Sequence, residues 1–292
     1  MDVKRFFRIA SSALVAFTIF VVLAVGGTYW WGGRKLVRHI DVAVQPVALP
    51  VDAKAIAHGK YLYESRGCMD CHGAGGAGKQ VFDEANGFRV RAPDITRANP
   101  DVARYRIEDW DRAIRHGVAP SGRPLLVMPS EDYNRLSDDD LGAIVAYVQS
   151  LPPGEGKPAD IHLPWFVRGM YGAGVIKDAA EKIDHSLPPS PPIVAAVNVE
   201  YGAYVANSCK GCHGAKLRGG NIPGAPPDWP AAANLRPGGV MEKYPQSAQF
   251  VTMMRTGKRP DGSDVSRVMP FSAFEKMDDT DLNALYLFLV QK

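Results

Sequence analysis

The chain has 292 residues, 46% of them apolar and 22% charged, which suits about two globular domains at the usual size of roughly 100 to 200 residues each. Its 29 Gly and 23 Pro imply much loop and turn and a low helix content. Six of the 34 Lys and Arg residues (Lys4, Arg5, Arg8, Arg34, Lys35, Arg38) flank one apolar segment, and beyond Asp41 there are 28 basic against 29 acidic residues. No basic field remains to attract nucleic acid, and that class of partner is excluded.

The first expected element is that apolar segment. From Ile9 to Trp31 run 23 residues without a charge, long enough to cross a hydrocarbon core of about 30 Å as a helix. Lys4, Arg5 and Arg8 would hold its start in the cytoplasm, and Tyr29, Trp30 and Trp31 suit the opposite headgroup layer. Residues 1–32 therefore read as a membrane anchor. The alternative is a cleaved signal peptide, for which Ala24 and Gly26 are small residues at plausible spacing, although the apolar run is long for one. Either reading exports the rest of the chain.

After the anchor the sequence repeats itself. Cys68-Met69-Asp70-Cys71-His72 matches Cys209-Lys210-Gly211-Cys212-His213, Arg115-His116-Gly117 lies over Arg255-Thr256-Gly257, Met128-Pro129 over Met269-Pro270, and Leu141 over Leu282. A short helix is predicted in each copy before Gly117 and Gly257, with Trp110 and Ile114 or Phe250 and Met254 on one face. A longer amphipathic helix closes each copy. The first has Ser137 as N-cap, Asp140 three residues on, and apolar Leu141, Ile144, Val145 and Val148; the second has Asp278, Asp281, Leu282, Leu285 and Leu289. No strand pattern competes. The expected architecture is all-α: two small tandem domains, 50–152 and 196–292, joined by a connector, 153–195, that is bounded by Pro- and Gly-rich stretches. The apolar run Leu163 to Tyr171 in that connector is expected to pack on the domains rather than on the membrane surface.

All four cysteines sit in the two Cys-x-x-Cys-His motifs. Two thiols one helical turn apart with an adjoining His is the pattern of covalent c-type haem attachment, with the thiols forming thioethers and the imidazole binding iron. Two disulfides, a zinc site or a redox dithiol would also use four cysteines. A dithiol of the thioredoxin kind would need a βαβ context that is missing, and none of these requires His after both second cysteines. The reading is two covalently bound haem c groups, attached at Cys68 and Cys71 and at Cys209 and Cys212, with His72 and His213 as axial ligands. Met128 lies 56 residues after His72 and Met269 lies 56 after His213, which singles out these two of nine Met residues as the second axial ligands. Thioether sulfur is soft and favours reduced iron. Met253, Met254 and Met277 read as core residues. His116, a rival ligand, is replaced by Thr256 in the second copy, and reads as a helix C-terminal residue interacting with the last carbonyls.

These residues resemble the class I cytochrome c superfamily in a dihaem, membrane-anchored form. More closely, residues 53–292 resemble the cytochrome c subunits of membrane-bound alcohol and gluconate dehydrogenases, through Ala92-Pro93-Asp94-Ile95-Thr96, Ala113 to Gly117, Met128-Pro129, Leu141 to Pro152 and Tyr201-Gly202-Ala203-Tyr204. The resemblance implies that the Pro93 carbonyl receives the axial imidazole N–H. The second copy reads Ala232-Ala233-Asn234 there and has no such proline. Those relatives carry three haem domains and this chain two, so an alcohol dehydrogenase complex is not assigned. The expected function is electron transfer on the periplasmic side of a bacterial inner membrane, with a single membrane pass. The partners would be a quinol-oxidising complex or dehydrogenase on one side and a soluble cytochrome or terminal oxidase on the other. A dihaem peroxidase-like enzyme, which would need an open iron and a distal acid/base group, and a fixed cytochrome subunit of a larger oxidoreductase complex are the alternatives.

Overall fold

The computed structural model describes residues 3–222, 224–226 and 228–291. Helix α1 (Val3–Leu36) has 34 residues, a length of about 51 Å at 1.5 Å per residue. Residues 7–27 are all exposed, and the segment has the length and apolarity to cross a membrane. Two of its hydroxyls are returned to the helix, Ser11 Oγ donating to the Phe7 carbonyl at 2.8 Å and Thr18 Oγ1 to that of Leu14 at 2.9 Å. Those two hydroxyls are thereby not left unpaired in hydrocarbon. Lys4 and Arg8 flank the run as expected, while Asp2 and the Arg5 side chain lie outside the described residues.

Two helical units follow. The first contains α2 (Ala53–Ser65), α3 (Cys68–His72), α4 (Ile107–His116) and α5 (Asp138–Ser150). Helices α6 (Trp165–Gly172) and α7 (Ala179–Lys182) belong to the connector, and the second unit contains α8 (Val199–Val205), α9 (Lys210–His213), α10 (Ser247–Thr256), α11 (Phe271–Phe274) and α12 (Asp279–Val290). In each unit the opening helix crosses the closing one, α2 on α5 and α8 on α12. Each crossing depends on a glycine. A Cβ on Gly59 would lie 1.9 Å from the Ala143 carbonyl oxygen, and one on Gly202 would lie 2.0 Å from that of Ala284. Gly59→Ala is therefore expected to force the α2–α5 pair apart and cost about 1–3 kcal/mol, which denaturant unfolding would measure; an unchanged midpoint would mean that the crossing is looser than described.

The closing helices are capped as the sequence predicts, Ser137 Oγ accepting from the Asp140 N–H and Asp278 Oδ1 from that of Asp281. Leu141 and Leu282 are fully buried in their respective cores. Gly117 and Gly257 end α4 and α10 in the left-handed region at φ 65° and 68°. The preceding arginines tie these ends to the closing helices, Arg115 to Asp138 at 2.8 Å and Arg255 to Asp279 at 2.7 Å.

Two expectations fail here. The chain is 48% helical rather than poor in helix, because Gly and Pro concentrate in the loops. It is also not purely helical: strands β1 (Gln80–Asp83), β2 (Arg89–Arg91) and β3 (Asp160–His162) form an antiparallel sheet in the order β1-β2-β3. The β1–β2 hairpin turns through Asn86 and Gly87, the latter at φ 87°, which is ordinary hairpin chemistry. Strands of three or four residues leave almost no alternation to read.

The apolar run Leu163 to Tyr171 was expected to pack on the domains. Instead, α6 packs on the C-terminal end of α1. A Cβ on Gly172 would lie 1.9 Å from the Thr28 carbonyl oxygen, and one on Gly32 would lie 2.1 Å from that of Arg168, so the two backbones touch. Buried Lys35 donates to the Tyr171 carbonyl at 3.1 Å and pairs with Glu181 at 2.8 Å, and Arg38 pairs with buried Asp178 at 2.7 Å. Other parts of the connector do meet the first unit: β3 pairs with β2, the Gly156 N–H donates to Asp94 at 3.2 Å, and in α7 a Cβ on Gly117 would lie 2.8 Å from that of Ala179.

The two units dock reciprocally. The Tyr61 hydroxyl of α2 donates to Asp281 at 2.6 Å and accepts from the Asp278 N–H at 3.0 Å. The Tyr204 hydroxyl of α8 donates to Asp140 and accepts from the Ser137 N–H at 3.2 Å. Each closing helix thus has a tyrosine of the other unit inserted between its N-cap N–H and its N3 carboxylate, where a capping box would make a direct bond. Own-unit residues complete the pattern, His58 on Asp140 at 2.7 Å and Tyr201 on Asp281 at 2.6 Å. Arg66 breaks the symmetry, reaching across to Asp281 at 2.7 Å in a wholly buried ion pair.

Candidate functional site

The first motif is α3 itself. Gly67, at φ 83°, precedes it, and its single turn puts Cys68 and Cys71 on one side with His72 at the end. The chain then folds back: the Gly78 N–H donates to the His72 carbonyl at 2.8 Å, and a Cβ on Gly78 would lie 2.6 Å from the Pro93 carbonyl oxygen. That approach sets the Pro93 carbonyl 3.1 Å from His72 Nδ1. A carbonyl only accepts, so Nδ1 carries the hydrogen and the Nε2 lone pair is left for a metal.

The second motif repeats this geometry on a different sequence. Leu217 takes the left-handed conformation of Gly76 at φ 55°, the Gly219 N–H donates to the His213 carbonyl at 2.9 Å, and His213 Nδ1 lies 2.8 Å from the Ala233 carbonyl. The acceptor left open by the missing proline is therefore present, because a backbone carbonyl does not depend on residue type. Burial lowers the pKa of both imidazoles against the smaller opposing effect of these carbonyls, which keeps them neutral and able to ligate.

The four thiols are free. Burial pushes Cys68 and Cys209 up to about 12 and raises Cys71 and Cys212 as well. A redox dithiol needs the opposite shift. Among the described residues no three His, Cys, Asp or Glu side chains converge as a zinc site would require. The donor set is instead that of two sulfurs for a macrocycle edge and one imidazole for its iron.

The rest of the first unit fits a haem. Ile95, Val102, Tyr105, Trp110 and Val148 line a cavity of about 300 Å³. The core that supplies Val102, Trp110 and Val148 also has Cys68 and Met128 packed against it. Trp110 Nε1 is buried there without a partner, at a cost of about 1–3 kcal/mol that an acceptor such as a haem propionate would relieve. In the second unit Cys209 and Met269 each pack against the corresponding core. Met253, Met254 and Met277 are buried core residues. His116 does not cap helical carbonyls: its Nδ1 meets that of His185 from the connector at 3.0 Å. Burial and His185 lower its pKa to about 4.

Sequence reasoning missed that both motifs lie at the interface between the units. The Gly211 N–H, inside the second motif, donates to Asp132 at 2.6 Å, and Asp70, inside the first, accepts from Ser272 at 2.9 Å. Asp132 and Ser272 follow Met128-Pro129 and Met269-Pro270. Each motif is thus docked on the segment just after the methionine of the other unit. Burial raises Asp132 to about 7 even though the Gly211 N–H opposes it.

A helical unit with a Cys-x-x-Cys-His turn, an imidazole oriented by a backbone carbonyl and a following Met-Pro segment is the arrangement of a cytochrome c, and this chain has it twice. Residues 54–148 match the family model for subunit III of cbb3-type cytochrome c oxidase and residues 199–292 the model for cytochrome c, so the chain contains two cytochrome c domains, a family that binds haem c covalently. It is 31% identical over 142 residues to the fructose dehydrogenase cytochrome subunit of Gluconobacter japonicus, covering 44% of this chain and 28% of that one. It is 30% identical over 184 residues to the cytochrome c subunit of the quinone alcohol dehydrogenase of Gluconobacter oxydans, covering 57% and 36%. It is also 30% identical over 121 residues to the cbb3-type cytochrome c oxidase subunit CcoP of Helicobacter pylori, covering 41% and 36%. The chain therefore matches about a third of the length of these relatives, all of them cytochrome subunits of electron-transfer complexes.

Proposed function

We propose that this chain is a membrane-anchored dihaem cytochrome. It would take electrons from a quinol-oxidising complex or a dehydrogenase and deliver them to a soluble cytochrome or a terminal oxidase. Residues 1–32 form the anchor and cross the bacterial inner membrane once, and domains 50–152 and 196–292 stand in the periplasm, joined by 153–195. Cys68 and Cys71 hold one haem and Cys209 and Cys212 the other; His72 and Met128 ligate the first iron, His213 and Met269 the second. When bound, haem c supplies a one-electron Fe(III)/Fe(II) couple.

The observation that carries the proposal is the reciprocal docking of the motifs. Cys-x-x-Cys-His turns placed at one interface would bring the two haem attachment points to the same boundary, so an electron entering either domain would have a path to the other within the chain. The Arg66–Asp281 pair and the paired tyrosines hold that boundary fixed, which limits reorganisation on transfer. The partial-length matches to cytochrome subunits of dehydrogenases and of an oxidase support both ends of the path.

Two tests apply. Acidified acetone should leave two haems per chain attached, because every cysteine is committed to a motif; release of one equivalent removes the assignment for that domain. The full chain purified in mild detergent should carry with it the complex that reduces or oxidises it, identified by mass spectrometry. It should also speed electron flow from quinol to a soluble cytochrome acceptor in membranes depleted of it. No acceleration would refute the carrier role.

A further inference from the structure

We propose that α6 is a second membrane contact, standing beside α1 at the headgroup layer of the bilayer that α1 crosses and holding the haem domains against its surface. The inference rests on the reading of α1 as the anchor.

Depth is the first argument. From Phe7 to Thr28, α1 rises about 32 Å at 1.5 Å per residue, close to the roughly 30 Å of the hydrocarbon core. Thr28 therefore stands at the outer boundary of that core, and it is Thr28 whose backbone touches Gly172 of α6. The C-terminal end of α6 is thus fixed at headgroup level by backbone contact, not by a flexible tether, and because Arg168 meets Gly32 the helix runs outward from there, with Trp165 about 10 Å from Gly172 along its axis.

Composition and exposure are the second. The face of α6 toward α1 carries Gly169, Gly172 and buried Tyr171. The rest presents Trp165 at 66% exposure with Phe166 and Met170 at 37% each, and Trp30 and Trp31 stand exposed on α1 at 61% and 55%. Helix α6 contains no acidic residue. The Arg168 guanidinium lies 4.2 Å above the Tyr29 ring and Arg34 lies 6.0 Å above Trp30, so cationic heads stand beside aromatic rings on both helices. Exposed Trp and Phe with neighbouring Arg is the chemistry of the bilayer interface, where rings enter the acyl boundary and guanidinium groups meet phosphate. The patch is also continuous with the exposed apolar surface of α1, which commits it to lipid over a protein partner.

The test uses the full haem-loaded chain in phosphatidylcholine–phosphatidylglycerol vesicles with photoactivatable phosphatidylcholine whose diazirine sits either near the glycerol or at the acyl chain end. Labelled positions are located by mass spectrometry. The shallow probe is expected to label residues 165–170 several-fold above the segment around exposed Val194, and the deep probe to label α1 but not α6. Labelling of α1 by both probes with none on α6 would overturn the inference and leave the anchor intact. Absence of label from α1 as well would overturn the anchor reading and the inference with it.

Discussion

Met269→Ala is expected to leave haem attached in the second domain and to lower the potential of that centre by on the order of a few tenths of a volt, within the range of roughly 0.8 V that axial ligands span. The attachment rests on Cys209 and Cys212, which the substitution does not touch. What is lost is a soft sulfur that favours Fe(II). Met128→Ala should do the same to the first centre alone.

The controls separate ligation from packing. Met253 and Met277 are 5% and 1% exposed in the second core, so Met253→Ala and Met277→Ala should each cost about 2–5 kcal/mol of stability and leave both potentials almost unchanged. Met269 is half-buried and only packs against that core, so its replacement should cost less stability and far more potential. Redox titration of the four variants, with low-temperature magnetic spectra to identify the axial ligands, distinguishes the two patterns. An unaltered second centre in Met269→Ala would show that another residue is the ligand.

The attachment motifs were legible in the sequence because their chemistry is local: two thiols and an imidazole within five residues. The closing helices were legible for the same reason, since Ser137 with Asp140 and Asp278 with Asp281 are caps read over one turn. The docking was not. Its contacts join residues more than 60 positions apart, and the two copies are offset by 141 at the motifs but by 143 in the opening helices. A two-residue gap before the second motif would have aligned His58, Gly59 and Tyr61 with Tyr201, Gly202 and Tyr204 and exposed the paired tyrosines. The carbonyl acceptor for His213 was hidden for a different reason: it belongs to the backbone of Ala233, and no side chain marks it. Strand β3 was hidden because three exposed residues carry no burial pattern.

Arg66→Met is expected to destabilise the docked pair of domains by about 3–5 kcal/mol, the usual cost of stranding one partner of a buried ion pair. Arg66 already has one buried nitrogen, Nη2, without a partner, so the pair is costly even when intact. Its value lies in what Asp281 would otherwise suffer. Burial alone would raise that carboxyl, yet the Arg66 charge and the hydroxyls of Tyr201 and Tyr61 hold it below the ordinary carboxylate range. In the native protein a lowered folded pKa contributes stability that is present above the unfolded value of about 3.9 and is lost as pH falls through the folded one. In Arg66→Met, burial is opposed by two hydroxyls only and the folded pKa should rise above the unfolded value. The dependence contributed by this carboxyl then reverses, and the variant should gain stability relative to the native protein on acidification from neutral pH toward about pH 4. Denaturant unfolding of the haem-loaded proteins across this range would read both slopes. Arg66→Met combined with Asp281→Leu removes the stranded charge and should recover most of the loss, since apolar replacement of a whole buried pair is often neutral. If the double variant is as unstable as the single one, the interface depends on Arg66 for packing and not for charge.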